Sequence, residues 1–288
     1  GVRSCLAGNT RHEVSLMPEI PEMEIYKRNL EKAVLGKRIQ LAEITRERST
    51  NVSPQEFSRW VQKAVVLEIQ RYGKYLMLKL SSGKSLCAHM MLDGRIYYEV
   101  PGEEPKLPGS SHIRLAFEDR SILHFCEMRL GYLKLYDQDE VEYIKNNLGL
   151  DPLAKGFTPE VLAKILKSKR GMIKPLLMEQ KHIAGIGNAY SNEILFESGI
   201  MPERKTPTLK DEEIEKLYSA IPFVLRKAIA KGGYIEEPFA SWDNLSGGMI
   251  PYFQVYDRAG QPCLKCGNPI NQKVVGGRNA FFCLICQH

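Results

Sequence analysis

At 288 residues the chain is long enough to bury two cores, and with 43% hydrophobic and 26% charged residues it reads as a soluble globular protein. No apolar run approaches the ~20 residues that a membrane-crossing helix requires, and a formal net charge of +6 with a pI near 8.8 suits a polyanionic partner without naming one. Cys5, Cys87 and Cys126 are scattered and odd in number, the usage of a reducing cytosol and not of a disulfide framework.

Residues 1–16 are polar and lack the apolar stretch of a signal peptide; ordered pattern begins only at Met17, so this segment is expected to be an added or unprocessed leader. Residues 21–35 open on a proline, carry Ile25, Leu30, Val34 and Leu35 at helical spacing and stop at Gly36, which predicts a helix. Short β-rich runs follow at 38–44, 64–70, 75–80, 85–90, 95–100, 113–117, 121–125 and 132–136, separated by turn residues such as Gly73, Asp93-Gly94 and Gly131. Many short strands at close spacing predict a sandwich or barrel. Helical patterns take over at 158–169, 172–179, 188–198 and 210–231, with Thr158 and Asp211 as starts. Residues 232–254 are rich in Gly, Pro and aromatics, the composition of a long mobile loop. The expected division is a β domain at 17–147, a hinge at 148–157, a helical domain at 158–254 and a finger at 255–288.

That finger carries Cys263-Leu264-Lys265-Cys266 and Cys283-Leu284-Ile285-Cys286, two C-x2-C pairs with sixteen residues between them. Four thiolates at this spacing predict one structural Zn2+ held by Cys263, Cys266, Cys283 and Cys286; redox pairs or disulfides are the alternatives. A ribbon so short has almost no core, so the metal must supply its folding free energy. Its tip presents Arg278.

Two further segments bear on chemistry. Ala184-Gly185-Ile186-Gly187-Asn188 stands just before a helix, where glycines admit close backbone approach and free N–H groups suit a phosphate; the alternative is an ordinary corner between helices. Met17-Pro18-Glu19-Ile20-Pro21-Glu22 would, on loss of Met17, leave Pro18 as a terminal secondary amine able to condense with a sugar C1′, with Glu19 placed to move protons. The alternative is a helix cap whose acidic residues complement the helix dipole.

In order along the chain, Pro18-Glu19-Ile20-Pro21-Glu22, Arg71-Tyr72-Gly73-Lys74-Tyr75-Leu76, Ile173-Lys174-Pro175, the run from Gly185 to Glu193, and the finger with Arg278 and Cys286-Gln287-His288 resemble the formamidopyrimidine-DNA glycosylase / endonuclease VIII family of base-excision repair enzymes. The resemblance runs from Met17 to His288. It implies an α+β protein: an N-terminal β-sandwich domain, a C-terminal helix–two-turn–helix domain and a zinc ribbon, with DNA in the cleft between the halves. It implies a bifunctional glycosylase and abasic-site lyase with Pro18 as nucleophile, Glu19 as acid and base, and Lys74 on a phosphate and the leaving-group side. Asn188 and Arg278 would clamp phosphates, Lys174 would contribute to DNA binding, and Glu22 and Glu193 would support the site.

The void-filling positions depart from the family pattern. His89-Met90-Met91-Leu92-Asp93-Gly94 stands where a Met wedge is usual, and Cys126-Glu127-Met128-Arg129-Leu130-Gly131 where Asp-Pro-Arg-Arg-Phe-Gly is usual. Met91 or Leu92 is then an apolar wedge or a plain core residue, and Arg129 the candidate to face the orphan base. The incomplete triad leaves open oxidised pyrimidines, other lesions and abasic sites. The expected enzyme is a monomer acting on damaged double-stranded DNA, cytoplasmic and nucleoid-associated, with no membrane partner. A non-catalytic binder of distorted DNA is the alternative.

Overall fold

The computed structural model describes residues 16–288, so all of the expected leader except Leu16 lies outside the described residues. The N-terminal half is built from β1 (Ile39–Ile44), β2 (Val66–Tyr72), β3 (Tyr75–Leu80), β4 (Ser85–His89), β5 (Arg95–Glu99), β6 (Ser111–Phe117), β7 (Ile122–Cys126) and β8 (Tyr132–Tyr136). They form two four-stranded antiparallel sheets in the orders β1-β6-β7-β5 and β2-β3-β4-β8. Alternation explains the strands: on β6, Ile113, Leu115 and Phe117 point inward, and on β8, Leu133 and Leu135 do, between outward tyrosines and Lys134. The inner faces meet in a single core with Leu76, Leu78 and Phe125. This is a β-sandwich.

Helix α1 (Ile20–Val34) lies across that sandwich. Its Met23, Tyr26, Leu30 and Val34 enter the sandwich core, whereas Ile20 at its start belongs to the core of the other half. Two helices that the pattern of short strands hides are α2 (Pro54–Val61), capped by Ser53 on the Glu56 N–H, and α3 (Gln138–Asn147), capped by Asp137 on the Glu140 N–H.

The C-terminal half packs α4 (Pro159–Lys167), α5 (Ile173–Leu177), α6 (Asn188–Ser198) and α7 (Asp211–Ala230) around Leu162, Tyr190, Ile194, Leu217 and Leu225. Thr158 caps α4 as expected, accepting from the Val161 N–H, and α7 starts at Asp211, the first of its acidic run, with Lys210 at the cap. The finger is a hairpin of β9 (Asn271–Val275) and β10 (Arg278–Phe282). Its Gly276-Gly277 turn has φ of 59° and 76°, a pair of positive values that L side chains resist. It is docked, not free: the Phe281 N–H donates to Asn192 Oδ1 at 3.0 Å, and Gln287 Nε2 to the Ile200 carbonyl at 2.8 Å.

Residues 232–254, expected to be a mobile loop, are instead a strap across both cores. Phe239 and Ala240 are buried in the sandwich, where the Phe239 carbonyl accepts the Tyr98 N–H at 2.6 Å. Tyr234, Met249 and Phe253 are buried in the helical core. Gly/Pro composition reports turns, and it is silent about aromatic anchors between them. No described helix is long and apolar enough to cross a membrane.

Candidate functional site

The N-termini of α1 and α6 meet head to head. Glu19, the cap residue of α1, sends its carboxylate into the start of α6, where Oε2 accepts the Gly187 N–H at 2.6 Å and Oε1 the Ala189 N–H at 2.8 Å. The Ile20 N–H returns a bond to the Gly185 carbonyl at 3.1 Å. Two helix N-termini thus bring positive partial charge onto one carboxylate. Burial raises the Glu19 pKa, against the downward pull of the Lys74 charge and the α6 N–H groups. Pro18, buried just ahead of α1, stands beside this junction.

Lys74 follows the tight Gly73 turn between β2 and β3 and is 8% exposed. Burial lowers its pKa; the charges of Glu19 and Glu22 oppose that, and the Arg278 charge adds to it. A methyl at Gly187 would lie 2.5 Å from Glu19 Cδ and 2.7 Å from Lys74 Nζ, so only glycine admits both groups. Glu22 lies beneath: its Oε2 accepts the Glu19 N–H at 3.0 Å, and its Oε1 accepts the Tyr190 hydroxyl at 2.7 Å and the Tyr234 N–H at 3.0 Å. Burial pushes its pKa up to about 7.

The residues preceding Pro18 are held by both halves. The Met17 carbonyl accepts the Tyr234 hydroxyl at 2.6 Å, and Lys74 Nζ lies 3.5 Å from Met17 Sδ. Leu16 and Asp93 exchange bonds, Leu16 N–H to Asp93 Oδ1 at 3.2 Å and Asp93 N–H to the Leu16 carbonyl at 3.1 Å. The loop after β4 therefore borders the site.

Asn188 is the first residue of α6, and its side-chain oxygen is buried without a partner. Arg278 is exposed at the hairpin tip, whose Gly276 lies against Pro175, with an ideal Cβ only 2.3 Å from Pro175 Cγ. Lys174, expected at the DNA surface, is wholly buried, and this corrects its assignment as a contact. Its ammonium donates to Ser191 Oγ at 2.9 Å, Asn192 Oδ1 at 3.1 Å and the Asn188 carbonyl at 3.4 Å, which matches its three N–H groups. Burial draws its pKa down to about 7. Glu193 is likewise not at the junction: its carboxylate accepts the N–H groups of Gln254, Val255 and Tyr256 and moors the lead into the finger.

Met91 and Leu92 are half-buried on the loop after β4, not core residues. The neighbouring loop abuts it: a methyl at Gly131 would lie 2.7 Å from the Met90 carbonyl oxygen. On that loop Met128 is buried in the sandwich core, Arg129 is 75% exposed and paired with Glu127 at 3.0 Å, and Leu130 is 60% exposed. Leu130 had no sequence signal beyond its place in the motif. Two more features have no local sequence signal. Tyr234 sits in a segment whose composition suggests a mobile loop. Arg71 bridges Glu24 on α1 (3.1 Å) and Asp151 at the start of the helical half (2.5 Å).

In the finger the four cysteine sulfurs lie within 4.8 Å of one another, with Cys266–Cys283 at 3.4 Å and Cys263–Cys286 at 3.9 Å. A tetrahedral zinc with Zn–S of ~2.3 Å requires S–S separations of roughly 3.8 Å. The set fits one structural zinc ion.

Known proteins bear on this arrangement at every level. The family model for the formamidopyrimidine-DNA glycosylase N-terminal domain matches residues 17–133, that for the formamidopyrimidine-DNA glycosylase H2TH domain 148–238, and a zinc finger found in FPG and IleRS 260–288. The formamidopyrimidine-DNA glycosylase of Pelotomaculum thermopropionicum is 36% identical over 277 residues, covering 94% of this chain and 99% of the relative. That of Streptococcus pneumoniae is 34% identical over 275 residues, with the same coverage. Lactococcus lactis Fpg in complex with an abasic site containing DNA superposes with a TM-score of 0.85 at 29% identity, over 93% of this chain and 99% of that one. The wild-type Lactococcus lactis protein with an N7-benzyl-Fapy-dG containing DNA gives 0.84 at 29%, over 94% and 99%. With all three segments matched in order and nearly full-length relatives above 30% identity, the chain belongs to the formamidopyrimidine-DNA glycosylase family.

Proposed function

We propose that the chain removes oxidatively damaged bases from double-stranded DNA and nicks the abasic sites so formed, in base-excision repair, with Pro18 as the nucleophile. The observation that carries this is the convergence of buried Pro18, Glu19 and Lys74 where α1 meets α6. C1′ is out of reach inside a duplex, so the target nucleotide is rotated into the cleft. The Pro18 amine bonds C1′ as the base leaves. Glu19, whose carboxyl burial holds above the usual range, gives a proton to the sugar oxygen and, as carboxylate, takes one from C2′ once the iminium has acidified it. The C3′–O bond then breaks and the strand is nicked. Lys74 neutralises charge on the leaving side.

Asn188 and Arg278 grip phosphates beside the flipped nucleotide, and Met91, Leu92, Leu130 and Arg129 rim the gap it leaves. With Met128 buried, Arg129 is the cation of that loop left to meet an orphan base. Glu22 holds Glu19 in place, and Glu193 holds the finger. Residues 17–147 and 158–254 act as two domains with a hinge at 148–157, and the enzyme works as a nucleoid-associated monomer in the cytoplasm. The partner class is supported by the abasic-site DNA bound to the Lactococcus lactis protein.

In the chain as written Pro18 nitrogen is a tertiary amide with a delocalised lone pair and no N–H. Protein beginning at Pro18 and the extended chain are each mixed with abasic-site DNA and borohydride. Only the former should become covalently linked, while both bind DNA. Equal trapping by the extended form would remove Pro18 from the chemistry and direct attention to Lys74. A pure binder of distorted DNA would trap in neither form.

A further inference from the structure

We propose that Tyr234 is a further catalytic residue, whose hydroxyl donates a hydrogen bond to the deoxyribose ring oxygen as C1′ becomes bonded to Pro18. The inference rests on the Pro18 reading above and adds a group to it. Its basis is what the Met17 acyl group occupies. The Met17 carbonyl carbon is bonded to Pro18 nitrogen, as C1′ is in the covalent intermediate. The acyl oxygen then stands in for the ring oxygen O4′ and the Met17 Cα for C2′. That acyl oxygen, within about 2.3 Å of the proline nitrogen by amide geometry, accepts the Tyr234 hydroxyl at 2.6 Å. A donor is thus already aimed at the atom on which charge develops when the sugar ring opens.

The donor is held firmly. The Tyr234 ring lies edge-on to Tyr190 at 5.6 Å and packs against Phe253 and Tyr256 at 5.9 and 6.2 Å. Its backbone N–H is fixed to Glu22, and its side chain is 4% exposed. Burial, with the charges of Glu19 and Glu22, holds its pKa well above normal, so the hydroxyl stays protonated and cannot serve as a base. Phe253 and Met249 are buried with it in the helical core, and its hydroxyl is engaged by the Met17 carbonyl next to the Pro18 nitrogen.

The step balances without any further reagent. Pro18 nitrogen already shares an electron pair with C1′; its N–H proton has left with the departing base, or with the departing water at an abasic site, which leaves the nitrogen one further lone pair. The C1′–O4′ bond breaks, its electrons stay on O4′, and O4′ takes the proton of the neutral Glu19 carboxyl. Nitrogen contributes its remaining lone pair to C1′ to form the iminium. Glu19 is left as the carboxylate that next removes a C2′ proton. Tyr234 is unchanged throughout; its hydrogen bond stabilises the oxygen between bond breaking and protonation.

The test uses protein beginning at Pro18, with and without Tyr234→Phe, a change that keeps the ring and its packing. Borohydride trapping rates are measured on two duplexes, one with a cyclic abasic sugar and one with an acyclic aldehyde that has no ring to open. The variant should trap the cyclic site slower by on the order of 10- to 100-fold and the acyclic aldehyde at the unsubstituted rate, with DNA affinity unchanged. Equal rates on the cyclic site, or the same slowing on both duplexes, would overturn the role; the second result would mark Tyr234 as merely structural. If the unsubstituted protein traps neither duplex, the Pro18 reading fails and this proposal with it, an outcome distinct from any defect confined to the variant.

Discussion

Glu19 and Gly187, 168 residues apart in sequence, are joined by a 2.6 Å hydrogen bond from the glycine N–H to the glutamate carboxylate. The bond ties the start of the sandwich-packed helix α1 to the start of α6, and it brings Glu19 and Lys74 so close to Gly187 that no side chain fits there. Gly187→Ala should therefore displace the carboxylate, the ammonium or both. An overpacked contact of this kind costs about 1–3 kcal/mol. Trapping of abasic-site DNA by the Pro18-initiated protein should fall by on the order of 100-fold, while affinity for undamaged DNA holds. Trapping within a factor of two of the unsubstituted protein would show that the junction is not the reacting centre.

Arg278 is exposed, and its guanidinium donates a hydrogen bond to the adjacent Gly277 carbonyl. Arg278→Ala should reduce the slope of log K against log salt by about one unit. Excision of a paired lesion should suffer more than cleavage of a ready abasic site, which needs less flipping work. Salt-titrated binding isotherms read the first effect and single-turnover assays the second.

Zinc analysis should return one ion per chain, and Cys283→Ser should lose it. A three-thiolate site cannot hold so small a ribbon, and Phe281 and Gln287 would leave their seats on Asn192 and Ile200. DNA binding should weaken while the sandwich still unfolds cooperatively. Retention of full zinc by the variant would contradict the four-sulfur assignment.

Three buried carboxyls each lower stability as pH rises. Burial holds Glu22 up at about 7 and raises Glu19 and Glu193 in the same direction. A carboxyl whose pKa is higher folded than unfolded binds its proton more tightly in the native state. The resulting stabilisation is fully present below the unfolded value, 4.5 for Glu22, and is lost as pH rises through about 7. Glu22 should thus pull urea midpoints down between about pH 5 and about pH 8, against the rise contributed by buried His89, whose pKa burial draws down to about 4, and Glu22→Gln should remove that downward pull. An identical slope in the variant would exclude Glu22 as a contributor.

Local pattern was enough for much of this protein. The strands Tyr75–Leu80 and Tyr132–Tyr136 and the helix Asn188–Ser198 are legible to the residue, because period and flanking turns are properties of adjacent residues. Cysteine spacing is equally local, and the sulfurs of Cys263, Cys266, Cys283 and Cys286 converge as it implies. Helices α2 and α3 are not legible in the sequence because eight to ten residues beside short strands leave little room for a helical period to declare itself. Tertiary packing alone decided the rest. Nothing in Ile173-Lys174-Pro175 says that Lys174 is sealed among Ser191, Asn192 and the Asn188 carbonyl. Nor does Gly/Pro composition reveal that Phe239 is an anchor and Tyr234 a donor aimed at the Met17 carbonyl. Burial and convergence depend on which distant surfaces meet, and a chain can state its own periodicity without stating its neighbours.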